Sequence, residues 1–194
     1  MTPIIARIVW TVCVIAWYVI RYPFERKAKR TAVARSRRDW REMTLLTISL
    51  SGLGIVPGAY VATGFKGFGD YAFSAPQAWA GVAVFAVSLW LFRRTHKDLG
   101  RNWSVSLEVR DGHRLVTEGV YRHVRHPMYT AFFLWAVAQA LLLQNWIAGP
   151  AGLVGFGTLF LFRVFREEAM MLETFGEEYR DYARRTRRLI PWVF

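Results

Sequence analysis

Five apolar runs, at residues 4–22, 44–63, 76–92, 128–143 and 147–163, alternate with polar segments along this chain. A helix rises about 1.5 Å per residue, so a run of about 17–25 residues crosses a hydrocarbon core about 30 Å thick. The last two runs are near the short end and are separated by Gln144-Asn145. They are expected to form a tight antiparallel hairpin that tilts or meets a thin stretch of bilayer. The pattern predicts an all-α, polytopic integral membrane protein with about five transmembrane helices, folded as a single membrane-embedded domain over residues 1–194.

Charge patterning supports this reading. The chain holds 26 Lys and Arg against 14 Asp and Glu, a net charge of +12. Such a balance ordinarily suggests nucleic acid. Here, however, the basic residues fall in three segments, 21–43, 93–127 and 163–194, each lying between or after apolar runs. The loops on the other side, around Phe65 to Ala75 and Gln144-Asn145, are nearly uncharged. Segregation of this kind marks the cytoplasmic face of a membrane protein and predicts an outside N terminus with a cytoplasmic C terminus. Nine Trp, eight Tyr and fourteen Phe suit interfacial belts better than a soluble core of this size. Membrane lipids are therefore the expected partners, and nucleic acid is not.

Individual segments carry further expectations. The first run is followed, not preceded, by basic residues and shows no small-x-small cleavage site, so it reads as a transmembrane helix and not a signal peptide. Residues 21–43 read as a solvated juxtamembrane helix. Gly54 and Gly58 have the spacing that lets a neighbouring helix approach closely. Residues 104–116 alternate around Asp111-Gly112, a hairpin signal, although an irregular loop fits almost as well. The last 32 residues read as a surface-lying amphipathic helix with an apolar terminal anchor.

Two polar clusters stand at the mouth of the C-terminal hairpin. In the first, Arg125-His126-Pro127-Met128-Tyr129, proline takes the first helical position and leaves the amides of Met128 and Tyr129 at a positive dipole end. That arrangement suits a carboxylate or phosphate, and it serves ordinary helix capping equally well. In the second, Arg163 and Glu167 lie four apart on one helical face, as an ion pair or as an intramembrane functional pair. Arg166 and Glu168 point to other faces and read as solvated. His113, His123 and His126 have no carboxylate or thiolate spaced to complete a metal shell, and Cys13 is the only cysteine, so no metal site is expected.

In order, these pieces resemble the isoprenylcysteine carboxyl methyltransferase family and its phospholipid N-methyltransferase relatives. The matching residues are Leu99-Gly-Arg-Asn-Trp-Ser104, His113-Arg-Leu-Val-Thr-Glu-Gly-Val-Tyr121, Arg125-His-Pro-Met-Tyr129, Arg163-x-x-x-Glu167-Glu168 and Phe175-Gly-Glu-Glu-Tyr179-Arg-Asp-Tyr182. The resemblance covers residues 99–194. It implies S-adenosyl-L-methionine as methyl donor, with S-adenosyl-L-homocysteine as product, bound by membrane helices and cytoplasmic segments. No strand–GxGxxG–helix unit is present to build a soluble-type site. Carried over residue by residue, His113, Arg114, Leu115, Val116 and Tyr121 would line the cofactor site. His126, Pro127, Met128 and Tyr129 would hold the cofactor at the helix start, and Glu167 would bind its polar groups. Arg163 would face the acceptor, making Arg163 and Glu167 the residues closest to catalysis. Ala131 departs from the pattern, where the family often has glycine, and its methyl group would narrow the site. The acceptor implied is a lipophilic small molecule or prenylated substrate, with a carboxylate favoured by Arg163. A phospholipid amine, a small thiol and a sterol-reductase-like NADPH chemistry are the alternatives.

Overall fold

The computed structural model of the chain describes residues 1–28, 33–36, 39–100, 108–110 and 114–191. Helices dominate: α1 (Pro3–Ala28), α2 (Trp40–Leu50), α3 (Val56–Thr63), α4 (Ala75–Leu99), α5 (Pro127–Leu142), α6 (Ala151–Phe175) and α7 (Glu177–Arg185). Three stretches, Pro3–Lys27, Trp40–Gly67 and Ala75–Leu99, are long and apolar enough to cross a membrane. The apolar helix α5 has 16 residues, about 24 Å at the usual rise, which fits the short span expected there. The chain is a multi-pass membrane protein, and Ile8, Val12, Ile15 and Val19 on α1 lie exposed where lipid would cover them.

The second apolar run is interrupted. Residues Ser51–Ile55 form a π-helical turn between α2 and α3, immediately before Pro57. Proline has no N–H to give, so the ladder cannot continue regularly through it. The freed carbonyl of Gly52 accepts from Gln139 Nε2 at 3.1 Å, and the same amide group donates to Ala148 O at 2.8 Å. A backbone acceptor that lipid could not satisfy is thereby paired. The close helix approach lies here too. A Cβ on Gly52 would sit 2.2 Å from Ala151 O, and one on Gly155 would sit 2.7 Å from Ile48 O. Gly58 faces nothing within 4 Å and Gly54 meets only its own helix's Leu50, so the Gly54/Gly58 pair is not the contact.

At the end of the bundle remote from the basic segments, polar residues fasten the turns. Arg7, which interrupts the first run, donates to the Tyr60 hydroxyl at 3.0 Å, and that hydroxyl donates to Asp70 Oδ1 at 2.7 Å. Asn145 Nδ2 reaches Asp70 and the Phe68 carbonyl, while its Oδ1 accepts from the amides of Ile147 and Ala148. Gln144 pairs with both backbone groups of Ser74. The two uncharged loops of the sequence are thus locked together. Between the ends, α4 and α5 pack tightly around Phe85, Trp135, Ala138 and Leu142, all buried.

The basic segments depart from simple helices. Of residues 21–43, those to Ala28 continue α1, Val33–Ser36 forms β1, antiparallel to β2 (Glu108–Arg110), and Trp40 begins α2. The expected hairpin around Asp111-Gly112 has its turn outside the described residues, and β2 pairs instead with a strand 70-odd residues away. The C-terminal segment is not one surface helix. It breaks at Gly176, with φ of 54°, and α7 is followed by a tail that docks on the start of α5.

Candidate functional site

The start of α5 is built as the sequence suggests and then buttressed by elements the sequence did not reveal. His126 is the N-cap, Pro127 the first helical residue, and no side chain caps the helix. The amides of Met128 and Tyr129 therefore begin the helix without a hydroxyl or carboxylate partner of the usual capping kind. Just upstream, Arg125 N donates to Arg187 O at 2.7 Å and His126 N to Arg188 O at 3.0 Å, with Val124 and Arg187 forming a parallel bridge. Thr130 Oγ1 adds a bond to Leu189 O at 2.8 Å. The tail after α7 thus behaves as a short strand that fixes the angle of the α5 entrance.

Glu168 anchors that junction. Its carboxylate takes Arg125 Nε at 3.0 Å and His126 Nε2 at 3.3 Å, and Arg188 binds both its oxygens at 2.9–3.2 Å. Burial opposes ionisation of Glu168, but His126, Arg188 and Arg125 together hold its carboxyl well below the ordinary carboxylate range. The expectation that Glu168 is solvated is therefore wrong, because the tail folds back over it. Arg166 likewise has a partner, Asp39 Oδ2 at 2.9 Å, on the cap of α2.

Beside Glu168 on α6 lies Glu167, with Arg163 one turn before it. Their mutual contact is loose, 4.0 Å from Nε to Oε2. Each has a closer partner. Tyr129 OH donates to Glu167 Oε2 at 2.5 Å, and Arg163 Nη1 lies 3.2 Å from Glu42 Oε1 on α2. Glu42 has no exposed surface, and Arg163 is 9% exposed. The ring of Tyr129 is also held edge-on by Phe156 and Phe160 of α6 and stacked by His126.

Tyr129, Arg163 and Glu167 border a cavity of about 560 Å³, and Glu42 stands outside its lining. Arg114, Leu115, Val116, Tyr121, His126, Met128, Tyr129, Arg163 and Glu167 all line it. Pro127 is buried behind the wall, and His113 lies outside the described residues. Ala131 does not narrow the cavity. It packs against α4, where its carbonyl accepts from Ser88 Oγ at 2.7 Å. A second wall is apolar and aromatic: Trp17 from α1, Leu46, Leu50 and Leu53 from α2 and its π turn, Phe92 from α4, and Phe132, Trp135 and Phe156. The cavity therefore joins a polar rim to a greasy interior.

Tyr121 reaches the cavity through a turn that glycine alone permits. Gly119 has φ of +61°, and a Cβ there would lie 2.1 Å from Asp98 Oδ2, the atom that accepts from Val120 N at 3.0 Å. Burial, reinforced by the charge of Glu167, pushes the Tyr121 phenol well above its ordinary value, so it stays neutral. Its carbonyl accepts from Tyr182 OH at 2.7 Å, and Tyr179 and Tyr182 close the same wall.

Sequence reasoning missed several members. Arg21, Glu25 and His96 also line the cavity, because α1 continues past its apolar run and α4 brings a fully buried histidine to its last turns. Glu42 was hidden in a segment read as generically basic; an acidic residue one turn into a membrane helix is the signal that could have found it. Among the described residues, no three His, Cys, Asp or Glu side chains converge as a metal site would require.

Comparison with known proteins points to the same family. Residues 78–173 match the sequence model of the isoprenylcysteine carboxyl methyltransferase family, so the resemblance is shown across α4, α5 and most of α6. A protein-S-isoprenylcysteine O-methyltransferase from Dictyostelium discoideum is 37% identical over 93 residues, 46% of this chain and 38% of that protein. The mouse protein of the same name is 37% identical over 92 residues, 47% of this chain and 32% of that one. The chain thus matches half or less of the length of these relatives. Its fold is similar to that of a solved eukaryotic intramembrane Ras methyltransferase, with a TM-score of 0.55 and 26% identity over 79% of this chain and 53% of that one.

Proposed function

We propose that this chain is an integral membrane, S-adenosyl-L-methionine-dependent methyltransferase whose acceptor is lipophilic and carries a carboxylate, as an isoprenylated cysteine does. The observation that carries the reading is one cavity with two chemistries. Tyr129, Glu167 and Arg163 stand on its polar side, and Trp17, Phe132, Trp135 and Phe156 on its apolar side. A volume of about 560 Å³ falls within the usual range of small-molecule sites.

The residues fit the donor. The uncapped start of α5 suits its carboxylate, and Glu167, oriented by Tyr129, suits its ammonium or ribose hydroxyls. Aromatic faces suit its sulfonium. When bound, S-adenosyl-L-methionine supplies a methyl group on an already reactive sulfur. The chain's part is then to bring the two reactants into line and to exclude water, which is where most of the acceleration in such a displacement originates. A carboxylate acceptor is ionised at neutral pH and needs no base. Arg163, lining the cavity next to Glu167, is the group that would meet it. The basic ends of the bundle support a cytoplasmic C terminus and an outside N terminus, with the cofactor side facing the cytoplasm.

The deciding experiment measures transfer of labelled methyl from S-adenosyl-L-methionine to prenylcysteine, phosphatidylethanolamine and thiol acceptors in detergent. Calorimetry with S-adenosylhomocysteine and NADPH accompanies it. Methyl transfer to prenylcysteine is expected, together with S-adenosylhomocysteine binding that Glu167→Ala abolishes. Binding of NADPH alone would overturn the reading in favour of a reductase, and binding of neither would make the protein non-catalytic.

A further inference from the structure

We propose that Glu42 is a positioning residue for the methyl transfer: a resident counter-ion that holds Arg163 oriented and charge-balanced on both sides of the reaction. The inference rests on the methyltransferase reading above and goes beyond it, since Glu42 lies outside the stretch that matches the family.

The geometry is a two-rung ladder between α2 and α6. Asp39, the N-cap of α2, and Glu42, within it, are three residues apart, and Arg163 and Arg166 are three apart on α6. The outer rung joins Asp39 to Arg166 at 2.9 Å and is partly open to solvent, with side-chain exposures of 42% and 33%. Asp39 also caps α2 by accepting from Glu42 N at 2.8 Å. These contacts already fasten the helix start. The inner rung, Glu42 to Arg163 at 3.2 Å, is different: the carboxylate is completely enclosed. An enclosed ion pair gains little stability over an apolar pair of the same shape, because both charges give up their water. Its presence one turn inside an ordinary, exposed pair calls for a role other than fastening.

Position supplies that role. Arg163 lines the cavity and Glu42 does not, so the carboxylate stands behind the guanidinium. Nη1 lies 3.2 Å from Glu42 Oε1 and Nε 4.0 Å from Glu167 Oε2, so a carboxylate stands beside each of two edges of the guanidinium. A carboxylate acceptor would meet a group that need not reorganise. The charge balance points the same way. Transfer forms an O–CH3 bond and breaks an S–CH3 bond; the acceptor's negative charge and the donor's positive charge disappear together, and no proton moves. Arg163 therefore faces an anion before the step and a neutral ester after it. Without Glu42 the product state would leave the buried cation only the looser contact with Glu167, 4.0 Å from Nε, which the cofactor also engages. With Glu42 it stays paired throughout.

The test compares Glu42→Gln, which keeps the shape and removes the charge, with wild type and with Arg163→Met and the double variant. S-adenosylhomocysteine affinity is measured by calorimetry, and kcat and KM with prenylcysteine. The expected result is a kcat lower by roughly tenfold or more, at unchanged cofactor affinity and with no rise in acceptor KM. In the Arg163→Met background, Glu42→Gln should lower kcat no further. Loss of packing alone would instead weaken cofactor binding and raise KM together, and would add to the Arg163→Met defect. Either pattern, or wild-type kcat in Glu42→Gln, overturns the proposal. So does a wild-type protein that methylates only an amine, since the balance requires an anionic acceptor. If Glu42→Gln cannot be recovered folded, Glu42→Asp decides, because it keeps the charge but draws it back from Nη1. A lowered kcat at full cofactor affinity supports the role, and an unchanged kcat removes it. Failure of the wild type to bind S-adenosylhomocysteine at all would fell the methyltransferase reading itself, and this inference with it.

Discussion

The hydroxyl of Tyr129 donates to Glu167 Oε2 across 2.5 Å, joining the first turn of α5 to the polar end of α6. Tyr129 is 7% exposed, and the bond is of the short, charge-assisted kind that is roughly twice as strong as a neutral one. It sets which way Glu167 presents its carboxylate to the cavity. Tyr129→Phe keeps the ring and its contacts with Phe156 and Phe160 but releases Glu167. Affinity for S-adenosylhomocysteine should fall by about tenfold, the loss of one hydrogen bond to a charged group. Calorimetry in detergent measures it, and an unchanged Kd would show that Glu167 needs no such orientation.

The approach of α2 to α6 makes a second, purely structural prediction. A methyl on Gly155 would lie 2.7 Å from Ile48 O and 3.1 Å from Gly52 Cα, both backbone atoms that cannot step aside. Gly155→Ala should therefore destabilise by about 1–3 kcal/mol, the usual cost of overpacking. Gly58→Ala meets nothing within 4 Å and should be neutral or stabilising by up to about 1 kcal/mol. Thermal melts of the two variants in one detergent compare them directly. A larger loss at Gly58 would mean that the close contact has been assigned to the wrong glycine.

Glu168 gives the pH dependence. Its carboxyl is held well below the ordinary range in the folded protein, whereas in the unfolded chain it titrates near the usual glutamate value of about 4.3. The unfolded state therefore takes up the proton first as pH falls. The stability from Glu168 is fully present above about pH 4.3 and is lost progressively below it. Glu168→Gln should leave the protein less stable at neutral pH and remove this part of the acid sensitivity. Melting temperatures from pH 7 to 3 would test it; parallel curves for wild type and variant would exclude Glu168 as the source.

Much of this was legible in the sequence, and the division has a physical basis. Apolar runs and charge segregation located the bundle because a bilayer tolerates few alternatives to helices. Local motifs such as His126-Pro127 located the α5 entrance because capping is a short-range property. What escaped were pairings over long separations. Arg163 was paired by spacing with Glu167, yet its nearer partner is Glu42, on a helix 121 residues earlier by the difference of 163 and 42. Glu168 was read as solvated because nothing in its neighbours announces that residues 187 and 188 fold back over it. Gly54 and Gly58 had the right spacing, but the π turn before Pro57 rotates which glycine meets α6. Spacing reports faces of one helix; it cannot report which helix those faces will meet.

Arg163→Ala brings the last prediction, since it separates the two halves of the polar rim. Removing the guanidinium leaves Glu42 enclosed at 3.2 Å from where its partner stood, with no exposed surface to recover water. Breaking a buried pair from one side costs about 3–5 kcal/mol, so the variant should melt much lower than wild type. Cofactor affinity should survive, because Glu167 is oriented by Tyr129 and lies 4.0 Å from Arg163 Nε. Turnover of a carboxylate acceptor should not. Adding Glu42→Gln removes the stranded charge, so the double variant should regain most of the lost stability while staying inactive. Melting curves, S-adenosylhomocysteine calorimetry and the prenylcysteine assay on the same two variants distinguish these effects. If Arg163→Ala loses cofactor binding and turnover in equal measure, Arg163 serves the donor and not the acceptor.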